Sequence, residues 1–247
     1  MKAIILAAGL GSRLRPLTNT IPKPLLPVGG VPLIVWNLLL LRRHGIRDVI
    51  VNLHHLGHLI EKELGDGSTW DMRISYSKEP RILGTGGGLK QAEEFFEGKP
   101  FLVMNSDTLC ELDVGALRRY HERQNPLATM VVREDPNVAR WGVLELDADQ
   151  RIVRINGRGR VSQGPVVGRM FAGVHIVHPR LLRSVPMHGE SSIIDAYVHE
   201  IEHGESVYGY SLHGYWSDVG TAQRYADVQD DVERGLIRLI NRTATTL

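Results

Sequence analysis

Residues 7–24 read AAGLGSRLRPLTNTIPKP and follow directly on the apolar run AIIL. A short apolar run that ends in glycines predicts a buried strand followed by a loop. Gly9 and Gly11 permit positive φ angles and a close approach of the backbone to an anion, because neither carries a side chain. Arg13 and Lys23 add positive charge to the same segment. We therefore expect this segment, called the glycine loop below, to bind a polyphosphate.

The spacing within the glycine loop excludes two other phosphate-binding loops. The Walker pattern G-x-x-x-x-G-K-(S/T) is absent from it. The dinucleotide pattern G-x-G-x-x-G fails because Leu14 stands where the third glycine would be. The loop is therefore neither a P-loop nor a dinucleotide-binding turn.

The composition favours a globular protein with small-molecule partners. The 247 residues are 43% hydrophobic and 23% charged, and the formal net charge is +1. This balance provides no basic field for nucleic acid, and no apolar stretch reaches the roughly 20 residues of a membrane span. Cys110 is the only cysteine, which rules out an intrachain disulfide and leads us to expect a cytoplasmic protein. The sequence leaves a homodimer open.

Alternating apolar runs and helical patterns predict an α/β fold, in which helices cover both faces of a parallel sheet in the first half of the chain. There we predict strands at 2–6, 49–53, 73–76 and 101–104, and helices at 32–44, 56–64, 88–96 and 114–123. In the second half we predict strands at 128–133, 142–146, 152–155, 173–177 and 207–212, and helices at 192–203 and 221–239. These later strands should extend the sheet and build a lid.

Several segments together resemble the signature of the sugar-1-phosphate nucleotidylyltransferases. Residues 6–18 match L-A-A-G-x-G-x-R-(L/M)-x-P-L-T and a P-K-P segment follows. Residues 79–88, EPRILGTGGG, resemble E-x-x-L-G-T-(A/G)-G, with one additional residue between Glu79 and Leu83. The resemblance covers residues 1 to about 225. It implies a Rossmann-like three-layer fold, related to the GT-A glycosyltransferases, with a mixed, mainly parallel central sheet.

The resemblance implies transfer of a nucleoside monophosphate from an NTP to a sugar 1-phosphate, with release of pyrophosphate. One domain over 1–247 is expected, with a nucleotide-binding half at about 1–125, a sugar-phosphate-binding half at about 126–225 and a closing helix and tail at 221–247. The nucleotide-binding residues that it implies are Leu6, Ala8, Gly9, Gly11, Ser12, Arg13, Lys23, Gly86, Gly87, Ser106 and Asp107.

The glycine run at residues 84–88 is interpreted as a loop. Four glycines in five positions are hard to reconcile with a helix. The resemblance implies that this loop packs its backbone against the nucleobase. A helix N-terminus is the alternative interpretation.

Two anionic substrates must meet in this reaction, and their repulsion of several kcal/mol calls for a divalent cation. Mg²⁺ is held by one or two carboxylates together with phosphate oxygens and water. Asp107 follows a predicted strand and Asp218 precedes the closing helix. The resemblance implies a metal-binding aspartate in each of their motifs, N-(S/G)-D and W-x-D-(I/V)-G. We expect both as metal ligands, and as catalytic residues together with Arg13 and Lys23, although each aspartate could instead cap a turn or helix.

Further matches concern the sugar phosphate. The segments at 141–143, 171–175 and 191–195 resemble Y-G-V, N-A-G-I-Y and S-x-x-x-D, which implies binding roles for Gly142, Gly173 and Asp195. Many relatives carry E-K-P after the strand at 152–155, where this chain reads NGRGR over residues 156–160. Because guanidinium binds phosphate at least as well as ammonium, Arg158 or Arg160 is expected to replace that lysine.

Two other motifs point to different chemistry and are disfavoured. Residues 199–203, HEIEH, fit the zinc-protease pattern H-E-x-x-H, but on a helix both histidines would lie opposite the apolar face, and no third ligand follows. Residues 147–149, DAD, match the D-x-D of glycosyltransferases, but they lie between two predicted strands, where a hairpin turn is simpler.

The nucleotide and the sugar are the least determined part of the prediction. The segments around Asp107 and Gly86 resemble mannose-1-phosphate guanylyltransferases, which favours GTP and a manno-configured sugar phosphate. The compact length also suits UTP-dependent muramic acid or N-acetylhexosamine 1-phosphate uridylyltransferases, whose products supply cell-envelope polysaccharides. A non-catalytic nucleotide-sugar-binding regulatory subunit is the third alternative.

Overall fold

The computed structural model of the chain describes residues 1–237. The chain divides into two compact units. The first unit comprises Met1–Ile4, Arg81–Val103 and Val114–His213. The second comprises Ile5–Pro80, Met104–Asp113 and the described residues from Gly214 onward.

The described residues form short strands and six α-helices, none of which is long and apolar enough to cross a membrane. The strands are β1 (Ala3–Leu6), β2 (Pro27–Val28), β3 (Val31–Pro32), β4 (Asp48–Leu53), β5 (Arg73–Lys78), β6 (Phe101–Asn105), β7 (Thr108–Cys110), β8 (Ala128–Arg133), β9 (Leu144–Leu146), β10 (Ile152–Ile155), β11 (Arg158–Gly159), β12 (Val167–Val177), β13 (Val207–Ser211) and β14 (Trp216–Asp218). The helices are α1 (Leu33–Arg43), α2 (Gly57–Leu64), α3 (Gly84–Gln91), α4 (Val114–Gln124), α5 (Ile193–Glu202) and α6 (Ala222–Glu233).

Strands β4 and β5 of the second unit are parallel neighbours in the sheet. A separate two-stranded ladder joins β14 to β7 in antiparallel register and sets Asp218 opposite Thr108. Helix α1 begins after Pro32, has Arg42 and Arg43 in its last turn, and is followed by Gly45 at φ +75°. Proline at the start, cations at the end and a left-handed glycine beyond are favourable helix boundaries.

An apolar core lies under the glycine loop of the second unit. Leu14 of this loop, Leu109 of β7 and Val228 of α6 are buried and belong to one cluster of packed side chains. The other buried members are Leu26, Val28, Leu33, Trp36, Val219 and Ile237. Burial of large aliphatic side chains contributes roughly 1.5–3 kcal/mol each. The core therefore fixes the loop, the β7–β14 ladder and α6 to one another.

The first unit has the strand order β11-β10-β9-β12, with β8 beside β12 and β13 beside β8, whereas the residues of β6 and β1 are divided between the two units. Most of its resolved pairings are antiparallel, whereas β13 runs parallel to β8. The mixed sheet with accompanying helices confirms the predicted α/β class.

Three of the predicted boundaries that differ from the structure lie at or near glycines with positive φ angles. Strand β12 begins at Val167 rather than 173. The register of its pairing with β8 shifts between Phe171 and His175, and Gly173 lies there at φ +78°. The alternation of side chains is therefore interrupted, which made the predicted strand too short. Strand β9 begins at Leu144 rather than 142, since Gly142 has a φ of +86°. Helix α6 ends at Glu233, ahead of Gly235 at φ +70°, and the predicted end at 239 falls outside the described residues.

The glycine run is helical, which corrects the prediction of a loop before residue 88. Helix α3 begins at Gly84 and ends at Gln91, with a separate 3-10 turn at Glu93–Phe96. The chain near Ser191 packs closely on its first turn: the Gly86 N–H donates to the Ser191 carbonyl over 2.8 Å, and the Ser191 N–H donates to the Leu83 carbonyl over 2.9 Å. A Cβ on Gly86 would lie 2.9 Å from Ser191 Oγ. The missing side chains therefore permit helix packing within the first unit.

The first unit also buries a histidine. His175 of β12 is 2% exposed, and its Nδ1 shares a 2.5 Å hydrogen bond with Tyr197 Oη of α5. Burial lowers the pKa of His175 from 6.5 to about 3, because a charged imidazolium loses its hydration there. The folded protein therefore holds this ring neutral.

We predict that the protein loses stability as the pH falls from 6.5 to 5. In this window the unfolded chain binds a proton at His175 that the folded chain excludes, so protonation favours unfolding, with a slope that approaches about 1.4 kcal/mol per pH unit. Urea unfolding of the His175→Phe variant should show a flatter pH dependence. The matched control is His199→Phe on the exposed face of α5. Equal slopes for wild type and His175→Phe would contradict the account.

We also predict that Gly86→Ala destabilises the fold by about 1–3 kcal/mol, as overpacking typically does. The new Cβ would lie 3.1 Å from the Ser192 carbonyl carbon and 3.2 Å from the Ile193 amide nitrogen. Gly164→Ala is the control, because no atom lies within 4 Å of a Cβ there and its φ is not positive. Denaturant midpoints measure both variants. A Gly86→Ala midpoint as high as that of Gly164→Ala would refute this packing.

Candidate active site

The glycine loop is shaped by Gly11. This residue has a φ of +62°, and its carbonyl accepts hydrogen bonds from the Leu14 N–H over 2.9 Å and from Thr18 Oγ1 over 2.8 Å. A Cβ on Gly11 would lie 2.9 Å from Thr18 Cγ2. Gly9 differs from the expectation, because its φ is not positive and a Cβ there would meet no atom within 4 Å. Gly11 is thus required by the fold, whereas the space beside Gly9 is open to a ligand.

A buried polar chain anchors the start of the loop. The Ala7 N–H donates to Asn52 Oδ1 over 2.7 Å, and Asn52 Nδ2 donates to Glu79 Oε1 over 2.7 Å. Asn52 and Glu79 are only 3% and 4% exposed. His54 Nδ1 adds a 2.8 Å hydrogen bond to the Glu79 carbonyl. None of the predicted site residues belongs to this anchor, although an asparagine inside the apolar strand β4 is a signal for it.

The strands of the second unit bring the two predicted metal ligands together. Asp107 follows β6, and the Ser106 N–H donates to the Leu6 carbonyl over 3.1 Å. Asp218 ends β14, and the Val219 N–H donates to the Asp107 carbonyl over 2.9 Å. The two aspartates therefore lie on neighbouring segments despite their separation in the sequence.

Each aspartate has a cation beside it. Lys23 Nζ forms an ion pair with Asp107 Oδ2, and Arg224 Nη1 of α6 lies 3.2 Å from Asp218 Oδ2. The four side chains are between 12% and 25% exposed, so water screens their charges only in part. Together with Arg13 they form what is called the charge cluster below. Arg224 is not among the site residues predicted from the sequence.

The surroundings of Asp218 disfavour its negative charge in the absence of a nearby cation. Burial raises its pKa and the charge of Asp107 raises it further, whereas Arg224, Lys23 and Arg13 oppose the shift. Its Oδ1 is buried and accepts no hydrogen bond from the described residues. A buried carboxylate oxygen without a donor is suited to a cation. No cluster of three His, Cys, Asp or Glu side chains with ligand geometry occurs in residues 1–237, and Mg²⁺ needs only one or two protein carboxylates.

Gly220 provides space for the charge cluster. A Cβ on this residue would lie 2.5 Å from Asp218 Oδ1, 2.8 Å from Arg224 Nη2 and 3.3 Å from Arg13 Nη2. Any larger residue would displace charged groups from this point. The glycine of the W-x-D-(I/V)-G motif thus has a steric role here.

The predicted nucleotide-binding residues are divided between the units. The second unit contains Leu6, Ala8, Gly9, Gly11, Ser12, Arg13, Lys23, Ser106 and Asp107. The first unit contains Gly86 and Gly87, both buried in α3. Their predicted role stays a prediction.

The predicted sugar-phosphate residues all belong to the first unit. Arg158 Nη1 forms a 2.7 Å ion pair with Asp195 Oδ1, so two of them are in contact. Asn156 Oδ1 accepts a hydrogen bond of 2.8 Å from the Val143 N–H, and a Cβ on Gly142 would lie 2.8 Å from the same oxygen. Asn156 thus fixes the turn at Gly142, a role that the sequence analysis did not assign.

The two disfavoured motifs have structural explanations. His199 of α5 and His203, which directly follows this helix, are exposed, with ring centroids 4.2 Å apart. Asp147 Oδ1 accepts hydrogen bonds from the Asp149 N–H over 3.0 Å and from the Arg151 N–H over 2.9 Å. Strands β9 and β10 flank this turn in antiparallel register, which confirms the predicted hairpin.

Comparisons with known proteins identify the family of this chain. A family model described as nucleotidyl transferase matches residues 2–235. N-acetylmuramate alpha-1-phosphate uridylyltransferase of Neisseria meningitidis serogroup B is 37% identical over 93% of this chain and 97% of its own length. Mannose-1-phosphate guanyltransferase of Yarrowia lipolytica is 33% identical over 89% of this chain, which spans 61% of that protein.

A solved structure shares the fold. The putative glucose-1-phosphate thymidylyltransferase of Bacillus anthracis superposes with a TM-score of 0.83 at 24% identity, over 98% of this chain and 96% of that one. The matches confirm the resemblance to sugar-1-phosphate nucleotidylyltransferases. The chain therefore belongs to the nucleotidyl transferase family and is an enzyme of that family.

Proposed function

We propose that the protein transfers a nucleoside monophosphate from an NTP to a sugar 1-phosphate and releases pyrophosphate. The observation that carries the proposal is the charge cluster. It combines two carboxylates with three cations beside a loop that Gly11 shapes and Gly9 leaves open. Such a site can bind a triphosphate and a divalent cation together.

The chemistry follows from positioning and charge stabilisation. Asp107 and Asp218 would hold Mg²⁺, which when bound offsets the repulsion between the two substrates. Lys23 and Arg13 neutralise charge on the triphosphate while a sugar-phosphate oxygen attacks the α-phosphorus in line. Negative charge develops on the departing pyrophosphate. Fixed cations stabilise this charge more strongly in a partly buried site than in water. No covalent enzyme intermediate is needed.

For the substrate pair, we propose UTP and N-acetylmuramic acid 1-phosphate, used in the cytoplasm. The identity of 37% over almost the whole length of the Neisseria relative supports this pair. The chemistry of the first unit supports it too: this sugar carries a carboxylate besides its phosphate, and Arg158 and Arg160 offer two guanidinium groups near β11. Guanidinium pairs well with both kinds of anion.

GTP with mannose 1-phosphate, the pair favoured by the sequence analysis, stays the second candidate. The 33% identity to the Yarrowia enzyme supports it, over 61% of that protein's length. A regulatory subunit without catalysis is disfavoured, because a pure sensor would not need Arg13, Lys23 and both aspartates.

We predict that Asp107→Ala and Asp218→Ala each lower kcat by several orders of magnitude, because each removes a ligand of the ion that offsets substrate repulsion. Initial rates of pyrophosphate release at saturating Mg²⁺ measure the loss. Asp149→Ala, in the exposed hairpin turn, is the matched control and should keep the wild-type rate. Near-normal turnover by either active-site variant would contradict a metal-binding role for the substituted aspartate.

We predict that pyrophosphate release in a matrix of substrates is fastest with UTP and N-acetylmuramic acid 1-phosphate. The matrix crosses GTP, UTP, CTP, dTTP and ATP with mannose, glucose, N-acetylglucosamine, N-acetylmuramic acid and heptose 1-phosphates. A site built on specific polar contacts can discriminate by several orders of magnitude. A preference for GTP and mannose 1-phosphate would overturn the proposed pair. No release with any pair would refute the enzymatic proposal.

A further inference from the structure

We propose that Arg224 is a further phosphate-binding residue, which together with Arg13 forms a guanidinium pair for the pyrophosphate portion of the NTP. The inference rests on the proposed function, because that function supplies the ligand. Arg224 Nη1 lies 3.2 Å from Asp218 Oδ2. Both arginines belong to the second unit.

The start of α6 sets the position of Arg224. Thr221 caps the helix, and its Oγ1 accepts hydrogen bonds of 3.3 Å from both the backbone N–H and the Nε of Arg224. Val228 of the same helix is fully buried in the core, and Tyr225 Oη donates to the Pro27 carbonyl over 2.6 Å. The guanidinium is therefore held on a rigid element.

The two guanidinium groups converge above Gly220. Because a Cβ on this glycine would lie 2.8 Å from Arg224 Nη2 and 3.3 Å from Arg13 Nη2, the two nitrogens are no more than about 6 Å apart. Two forks of N–H donors this close together suit the several oxygens of one diphosphate, since guanidinium binds phosphate with two parallel hydrogen bonds.

The charges around the pair leave room for an anion. The charge cluster holds three cations and two carboxylates. The two ion pairs are partly buried, whereas Arg13 is exposed, so the excess positive charge is accessible to an anion from solvent. Pyrophosphate is such an anion.

The helix gives a second, independent reason. Arg224 occupies the first turn of α6, where the positive end of the helix dipole disfavours a cation. Such a local conflict between sequence and fold is expected at functional sites. Cationic side chain and helix end together attract the same negative group.

The test measures the binding of inorganic pyrophosphate by calorimetry, in EDTA and at low ionic strength. Arg224→Met should bind at least about tenfold more weakly than wild type, the range of a lost charge-assisted hydrogen bond. Arg224→Lys, which keeps the charge but loses the fork, should bind about threefold more weakly or worse. Arg234→Met is the matched control, because Arg234 follows the same helix and is exposed, and it should bind like wild type. Melting temperatures report the folding of each variant.

A double-variant cycle separates direct binding from an effect through Asp218. If Arg224 contacts the anion, Arg224→Met should still weaken pyrophosphate binding in an Asp218→Asn background. If Arg224 only neutralises Asp218, the loss disappears in that background, and the proposal is overturned.

The remaining outcomes also decide the proposal. Wild-type affinity in Arg224→Met overturns it, and so does wild-type affinity in Arg224→Lys if the methionine variant does not fold. Binding in EDTA needs no turnover, so the inference and the proposed function fail separately. If the wild-type enzyme is active and Arg224→Met has unchanged affinity for pyrophosphate, only the role of Arg224 is contradicted. If the wild-type protein is inactive but its affinity for pyrophosphate depends on Arg224, only the proposed function is contradicted.

Discussion

The antiparallel pairing of β14 with β7 is the constraint on which the rest of the site depends. It brings Asp218 next to Asp107, although 110 positions separate them in the sequence. Burial is the larger cause of the raised pKa of Asp218, and repulsion from the partly buried carboxylate of Asp107 is the second cause. Cations must therefore accompany them, and Lys23 and Arg224 do so. The charge cluster is a consequence of this pairing as much as a feature of the sequence.

The apolar core holds the elements that carry the charge cluster in fixed positions. Leu14, Leu109 and Val228 are buried in the same group of side chains and fix the glycine loop, the ladder and α6 together. Rigid support matters because charged groups stabilise developing charge only if they need no reorganisation during the reaction. The buried chain from Ala7 through Asn52 to Glu79 holds the start of the loop in a comparable way. Packing and polar contacts thus share the task of fixing the site.

The sequence predicted the parts of the site that are local in the chain. Two glycines, a cation and a preceding apolar strand indicate the glycine loop, and short motifs indicate both aspartates; the structure brings the aspartates together, and their binding roles stay predictions. Arg224 was missed because its contacts depend on how α6 packs, and nothing in its own neighbourhood distinguishes it from a surface arginine. The glycines at 84–88 misled for the same reason: their helix exists because the chain at Ser191 packs on its first turn. Strand β12 was shortened since Gly173 interrupts its alternation. Contacts between distant segments, rather than propensity, decided these cases.

The most direct test of the account is a crystal structure of the protein with Mn²⁺ and a non-hydrolysable UTP analogue, with the metal located by its anomalous scattering. The account predicts a manganese peak within coordination distance of both Asp107 and Asp218. It also predicts that Lys23 and Arg224 contact phosphate oxygens in the complex. A manganese ion bound away from these aspartates, or a nucleotide whose phosphates lie away from the glycine loop, would contradict it.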